Sequence, residues 1–213
     1  MYIEATTLPD LWFQAIYNLK DHGTRKKVDH GSYKGQMRIE YPWFAGIIKY
    51  PGAKPLLPDI PQHIGIPDPV SPDYLDNYLP YLLTDEINPN EQYTYGKRIW
   101  WQIPKVIESY KKYGNTNNQN VLRVAQQHDI FLEDPPCLQL IDMAIIQGKL
   151  WFYPYFRSWE LWAGLPANLA AIQLLKEYMA AEIGVKDGPM VVMSKGLHVY
   201  EYAVDLIDRR LGR

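Results

Sequence analysis

The apolar positions of this chain change their spacing several times, and each change marks an element. Between Leu8 and Leu19 they recur every three to four residues, with Pro9 and Asp10 at the start and His22-Gly23 as the stop. That is the pattern of an amphipathic helix with an early negative charge. Thr24-Arg25-Lys26-Lys27 reads as a basic loop. Met37 to Tyr41 alternates, and Phe44 to Tyr50 is β-branched and aromatic, so two strands are expected there. Pro51, Pro55, Pro58, Pro61, Pro67, Pro69 and Pro72 exclude a helix or a central strand, and this stretch is expected to run irregularly over the surface. Asp73 to Leu83 and Lys97 to Tyr113 carry helical patterns, the second ending at Gly114 and the polar run Asn115 to Asn120. Val121 to Val124 is a short strand candidate. Leu138 to Ile146 and Leu150 to Phe156 flank Gln147-Gly148-Lys149, which predicts a hairpin. Leu169 to Ile183 predicts a long helix with Pro166 in its first turn, Gly184 as its stop and a core stripe of Leu169, Ile172, Leu175 and Met179. Met190 to Met193 reads as a strand and Tyr202 to Leu211 as a closing helix. Strands and helices mix without strict βαβ alternation, so the expected class is α+β (mixed α/β), a mixed β-sheet packed with helices.

Composition narrows the function. At 213 residues the chain suits one domain spanning 1–213. A hydrophobic share of 47% with 22% charged residues is that of a globular protein. A net charge of -2 argues against a general nucleic-acid grip, which needs a basic face. No apolar run approaches the ~20 residues of a membrane span. Met1-Tyr2-Ile3-Glu4-Ala5 lacks an export pattern, and a single cysteine fits a reducing compartment, so the expected location is cytoplasmic. The 17 tyrosines and 7 tryptophans are core by default, although flat planar substrates also favour aromatic walls. The five histidines are scattered, none at metal-ligand spacing with a cysteine or carboxylate, and no metal site is expected.

The chemistry concentrates around the one cysteine, Cys137, which follows Asp134-Pro135-Pro136. A thiol is a strong nucleophile only as thiolate, and a guanidinium stays cationic at any biological pH. Arg157-Ser158 comes twenty residues later, then Gly164-Leu165-Pro166-Ala167-Asn168, the long helix, a strand, and His198-Val199-Tyr200. This order of motifs resembles thymidylate synthase, and the whole chain is similar to the short archaeal-type members. The likeness is dense from Asp134 to Tyr200 and thinner before it, where Gly35-Gln36-Met37-Arg38 and Tyr95-Gly96-Lys97 are the recognisable pieces.

The resemblance implies a thymidylate synthase-like fold and reductive methylation of deoxyuridylate (dUMP). Its one-carbon donor would be a reduced pterin, methylene-tetrahydrofolate or methylene-tetrahydromethanopterin. Cys137 would attack C6 of uracil, covalent catalysis that divides one hard substitution into accessible steps. Arg157 would bind the phosphate and favour the thiolate, and Ser158 would add a hydroxyl donor. Asn168 would read the O4 and N3-H edge of the base, and His198 and Tyr200 the sugar hydroxyl. Tyr95 would help manage the C5 proton. Glu160, where longer members carry an aspartate, would contact the pterin. Arg25 and His30 are candidates for a loop contact to the phosphate. Asn117, Asn118 and Arg123 stand where longer members have a pair of arginines shared between subunits, so a monomer is conceivable beside a homodimer. Two alternatives stay open: a pyrimidine nucleotide hydroxymethylase, and a non-catalytic nucleotide-binding protein on the same scaffold.

Overall fold

The computed structural model describes residues 1–212 apart from Asn88 and Asn90. In chain order its elements are β1 (Tyr2–Ala5), α1 (Leu8–His22), β2 (Thr24–Lys27), β3 (Met37–Tyr41), β4 (Phe44–Ile48), α2 (Pro72–Leu83), α3 (Tyr95–Ile99) and α4 (Gln102–Tyr113). There follow β5 (Val121–Arg123), β6 (Leu138–Ile146), β7 (Lys149–Phe156), β8 (Trp159–Glu160), α5 (Gly164–Ile183), β9 (Lys186–Ser194), β10 (Leu197–Tyr200) and α6 (Glu201–Leu211). Six strands form one mixed sheet in the order β1-β4-β9-β7-β6-β5, and four form a second in the order β2-β3-β10-β8. The α+β class with mixed sheets and helices is thus the observed architecture.

The helix α5 is the hub. Leu165, Leu169, Ile172, Leu175 and Met179 are buried on it, as is the small-residue pair Ala170 and Ala171. Burying one leucine of this kind contributes about 1.5–3 kcal/mol. On β7 the residues Leu150, Phe152 and Phe156 point into the same core at every second position, as a pleated strand requires. Across the core, the indole N–H of Trp12 on α1 donates to the carbonyls of Leu161 and Trp162, each at 3.0 Å. That fixes the segment from which α5 springs. The hairpin β6–β7 closes through Gln147 (φ 51°) and Gly148 (φ 71°), with Ile146 opposite Lys149. Two consecutive left-handed residues are the signature of a tight hairpin turn.

Several expectations need correction. Lys97 to Tyr113 is not one helix but α3 and α4, with the break at Trp100 and Trp101. Pro104 lacks an N–H and its ring collides with the carbonyl four residues back, so it is tolerated only in the first turn of a new helix. Thr24–Lys27 is a strand rather than a loop, because β3 supplies its hydrogen-bond partners, with Arg25 opposite Ile39. The proline-rich stretch is irregular, yet it is not confined to the surface: Leu56, Ile60, Ile66 and Val70 are buried. The long helix begins at Gly164, five residues before Leu169. The strand expected at Met190 to Met193 runs from Lys186 to Ser194.

Candidate active site

The strand β6 leaves the loop Asp134–Cys137, and β7 returns beside it to Arg157. The pairing places both where they meet: Arg157 N–H donates to the Cys137 carbonyl at 2.8 Å. The guanidinium curls over the same loop. Its Nε donates to the Pro136 carbonyl at 3.0 Å and its Nη2 to the Pro135 carbonyl. These acceptors are neutral, so Arg157 keeps its full charge and three N–H groups free of the loop. Burial pushes the Cys137 thiol up; Arg157 opposes this and Asp134 reinforces it. Asp134 itself accepts from the N–H (3.2 Å) and hydroxyl of Ser32, which ties the β2–β3 connection to the cysteine loop.

A wall of tyrosines faces the sulfur. Tyr74, Tyr78 and Tyr81 fall on one stripe of α2, and rings stack from Tyr74 to Tyr78 (6.0 Å) and from Tyr78 to Tyr81 (5.5 Å). Tyr95, the first residue of α3, meets Tyr81 edge-on at 5.2 Å, and its hydroxyl accepts the Leu138 N–H at 3.4 Å, one residue beyond the cysteine. Burial holds the phenols of Tyr78, Tyr81, Tyr93 and Tyr95 above their ordinary range, and a charge on Cys137 adds to the effect in each. Tyr74, Tyr78, Tyr81, Tyr95 and Asn168 line a cleft of about 550 Å³, with Glu86 and Glu91 also on its walls. Gly96 is dictated by packing: a Cβ there would collide with the Thr84 carbonyl at the end of α2.

The α5 helix supplies Asn168 to the cleft, and the turn before it sets where that helix starts. Glu160 accepts the N–H groups of Trp162 (2.7 Å), Ala163 (2.9 Å) and Gly164 (2.8 Å), so its carboxylate caps the helix. Burial raises its carboxyl while those three donors lower it. One turn into α5, Asn168 accepts at Oδ1 from the indole N–H of Trp159 (2.9 Å) and donates from Nδ2 to the Tyr78 hydroxyl (2.5 Å).

The second sheet brings the remaining groups. His198 and Tyr200 lie two apart on β10, and their rings meet edge-on at 5.0 Å. His198 Nδ1 is 3.0 Å from the Gly196 carbonyl; since a carbonyl only accepts, Nδ1 carries the proton and Nε2 is left as an acceptor. Burial pushes the imidazole down to about 4, with the Gly196 hydrogen bond and Glu40 working against it and Arg38 with it. His198 opposes the buried Glu40, which is held by Lys26 (2.7 Å) and Arg38. Burial raises the Tyr200 phenol and the nearby Arg38 charge opposes it, while Tyr33 stacks on Tyr200 at 4.3 Å.

Cys137, Arg157, Tyr95, Asn168, His198 and Tyr200 therefore converge through direct contacts or shared neighbours, with Glu160 opposite His198 in the β8–β10 register and Ser158 in the bend beside Arg157. Other candidates do not join them. Arg25 lines a separate cleft of about 370 Å³ with Lys20, Glu201 and Asp208. Arg123 lies on the outer face of the large sheet, beside Asp142 and Tyr155. His30 is exposed in the β2–β3 connection. Sequence reasoning missed Tyr78, Tyr81, Trp159 and Tyr33. The first two were legible as an aromatic stripe at helical spacing; Tyr33 and Trp159 reach the site only through tertiary packing. Among the described residues no group of three or more His, Cys, Asp or Glu side chains could hold a metal ion.

Comparison with known proteins places the chain in a family. Residues 89–213, more than half of the chain, match the family model of thymidylate synthase. The chain belongs to the thymidylate synthase family. Relatives named "Putative thymidylate synthase" include one from Methanosarcina barkeri, 27% identical over 212 residues that cover 97% of this chain and 92% of the relative. Another, from Methanopyrus kandleri, is 27% identical over 209 residues, covering 94% of this chain and 93% of the relative. Cys137, Arg157 and Asn168 all fall within the matched span, whereas Tyr33 and the α2 tyrosines precede it. Thymidylate synthases bind deoxyuridylate and a methylene-folate cosubstrate to make thymidylate, a methyltransferase-type reaction. No helix among the described residues is long and apolar enough to cross a membrane.

Proposed function

We propose that this chain is a thymidylate synthase acting as one catalytic unit, methylating deoxyuridylate at C5 with a methylene group and hydride drawn from a reduced pterin. The observation that carries the reading is the pairing of Cys137 with Arg157, whose guanidinium is held to the loop by carbonyl oxygens rather than by a carboxylate. Three free guanidinium N–H groups suit a phosphate dianion, with the Ser158 hydroxyl as a further donor. Cys137 loses its proton and forms the S–C6 bond; Arg157 lowers the cost of the thiolate that burial raises. The negative charge that reaches O4 meets the free N–H of the Asn168 amide. His198 Nε2 accepts from a sugar hydroxyl, and the Tyr200 hydroxyl completes that contact. The tyrosine cleft offers flat walls to a pterin ring, and Tyr95, whose hydroxyl meets the backbone one residue beyond Cys137, is the group assigned to the C5 proton. C5 bonds to the pterin-borne methylene, and the C5 proton and the pterin nitrogen leave. Hydride from the pterin then reduces the exocyclic methylene as the C5=C6 bond re-forms and Cys137 departs from C6 as thiolate. Glu160 bears on the pterin indirectly, by capping the helix that presents Asn168 to the cleft.

The test is incubation with deoxyuridylate and, separately, methylene-tetrahydrofolate or methylene-tetrahydromethanopterin, followed by mass analysis. A gained methyl group supports the proposal and identifies the donor. A hydroxymethyl product would instead make the chain a hydroxymethylase, and an unchanged nucleotide with both donors would leave only nucleotide binding.

A further inference from the structure

The Asn168 amide can read uracil only if it is presented the right way round. Uracil offers an acceptor at O4 and a donor at N3; cytosine offers a donor at its amino group and an acceptor at N3. Turning the amide by half a rotation exchanges its C=O and NH₂, and so exchanges the base it fits. Something in the protein must forbid that rotation. Two neighbours touch the amide, and they differ in chemistry. The Tyr78 hydroxyl can accept or donate, so it is content with either end of the amide. The Trp159 indole N–H can only donate, so the atom it meets must be the oxygen. A turned amide would set NH₂ against N–H, leaving the buried indole donor unpaired.

We propose that Trp159 is the specificity-determining residue of this site, locking the Asn168 amide in the orientation that accepts uracil and rejects cytosine. Trp159 is suited to the task because it is itself immobile. It is 2% exposed, and its ring lies flat on Phe156 at 3.9 Å with planes 7° apart. Its backbone N–H donates to the Gly196 carbonyl at 2.9 Å, and β8 pairs it with Leu197. The lock uses one lone pair of Oδ1 and Tyr78 one hydrogen of Nδ2, which leaves one acceptor and one donor side by side for the base. This inference rests on Asn168 being the base reader.

The experiment measures affinity for deoxyuridylate and deoxycytidylate by calorimetry, without cosubstrate, in the wild type, Trp159→Phe and Tyr78→Phe. Phenylalanine keeps a ring on Phe156 and removes the donor together with part of the indole's volume, whereas benzothienylalanine removes the donor alone. The uracil-to-cytosine ratio should fall about tenfold or more in Trp159→Phe, as loss of one buried hydrogen-bond constraint implies, and stay within about threefold in Tyr78→Phe. If Trp159→Phe does not fold, benzothienylalanine at position 159, isosteric with tryptophan but lacking the N–H, takes its place. An unchanged ratio in a folded Trp159 variant, with a wild type that prefers deoxyuridylate, overturns the lock and leaves the proposed function standing. A wild type that binds neither nucleotide overturns the proposed function and the lock together.

Discussion

Two guanidinium groups close to the cysteine loop are held in opposite ways. Arg98, on α3, is buried and forms two parallel hydrogen bonds to the Asp129 carboxylate, at 2.6 and 2.7 Å, with a third to the Val124 carbonyl at 2.8 Å. The pair neutralises itself, and its consequence is geometric. Arg98 stacks over the Tyr93 ring at 4.6 Å, and Tyr93 donates to the Asp134 carbonyl at 3.2 Å, steadying the cysteine loop from behind. Arg157 grips the same loop from the front, but through carbonyl oxygens only. A guanidinium bound by a carboxylate is a structural tie; one bound by neutral acceptors is a tie that still carries a charge for an incoming anion. Burial alone does not separate the two cases, whereas the chemistry of the acceptor does.

The largest expected effect lies on the open side of this contrast. Cys137→Ala should retain nucleotide binding and lose release of the C5 hydrogen by several orders of magnitude, because the step itself is gone. Tritium release from C5-labelled deoxyuridylate measures it; appreciable exchange in the variant would mean that another group attacks C6.

On the closed side, Arg98→Met strands the buried Asp129 carboxylate and should cost about 3–5 kcal/mol of unfolding free energy. Denaturant titration gives the figure, with Arg98→Met/Asp129→Leu expected to recover much of the loss. A small loss in the single variant would show that the pair is not the tie inferred here.

His198 provides a third kind of buried nitrogen base, one kept neutral. Its folded value near 4 lies below the ~6.5 of an unfolded histidine. The stability it contributes is therefore full above about pH 6.5 and is lost as pH falls towards 4, by roughly 3 kcal/mol. Unfolding titrations at pH 7, 5.5 and 4 should show this slope in the wild type and a shallower one in His198→Gln; parallel curves would refute it.

The smallest effect on folding belongs to Arg157→Met, about 1–2 kcal/mol for two hydrogen bonds to half-buried carbonyls. Its functional effect should exceed that. Nucleotide affinity should fall about ten- to hundredfold, and the pH midpoint of Cys137 alkylation should move up, since the group that opposes burial is gone. Loss of stability without loss of affinity would place Arg157 in the same class as Arg98.

Much of this was legible in the chain. The hairpin Leu138 to Phe156 and the helix leading to Gly184 follow from local periodicity and turn chemistry, and both are present. Cys137, Arg157 and Asn168 stand on or beside those elements, whereas His198 and Tyr200 lie on β10 of the second sheet and were tied to them by motif order alone. The split of Lys97 to Tyr113 was written in Pro104. The strand Thr24–Lys27 was not legible, because its four exposed polar residues have no pattern until β3 pairs with them.

The sequence by itself determined which chemical groups this protein owns and which local elements carry them, because helix periodicity, hairpin turns and motif order are short-range properties. Only the tertiary structure decided what those groups are free to do. It bound Arg157 to carbonyls and Arg98 to a carboxylate, placed the Glu160 oxygens on the start of α5, and put the Trp159 indole against the Asn168 amide. Each of those outcomes depends on which partner arrives from a distant part of the chain, and hydrogen-bond partners across a core are set by packing rather than by spacing.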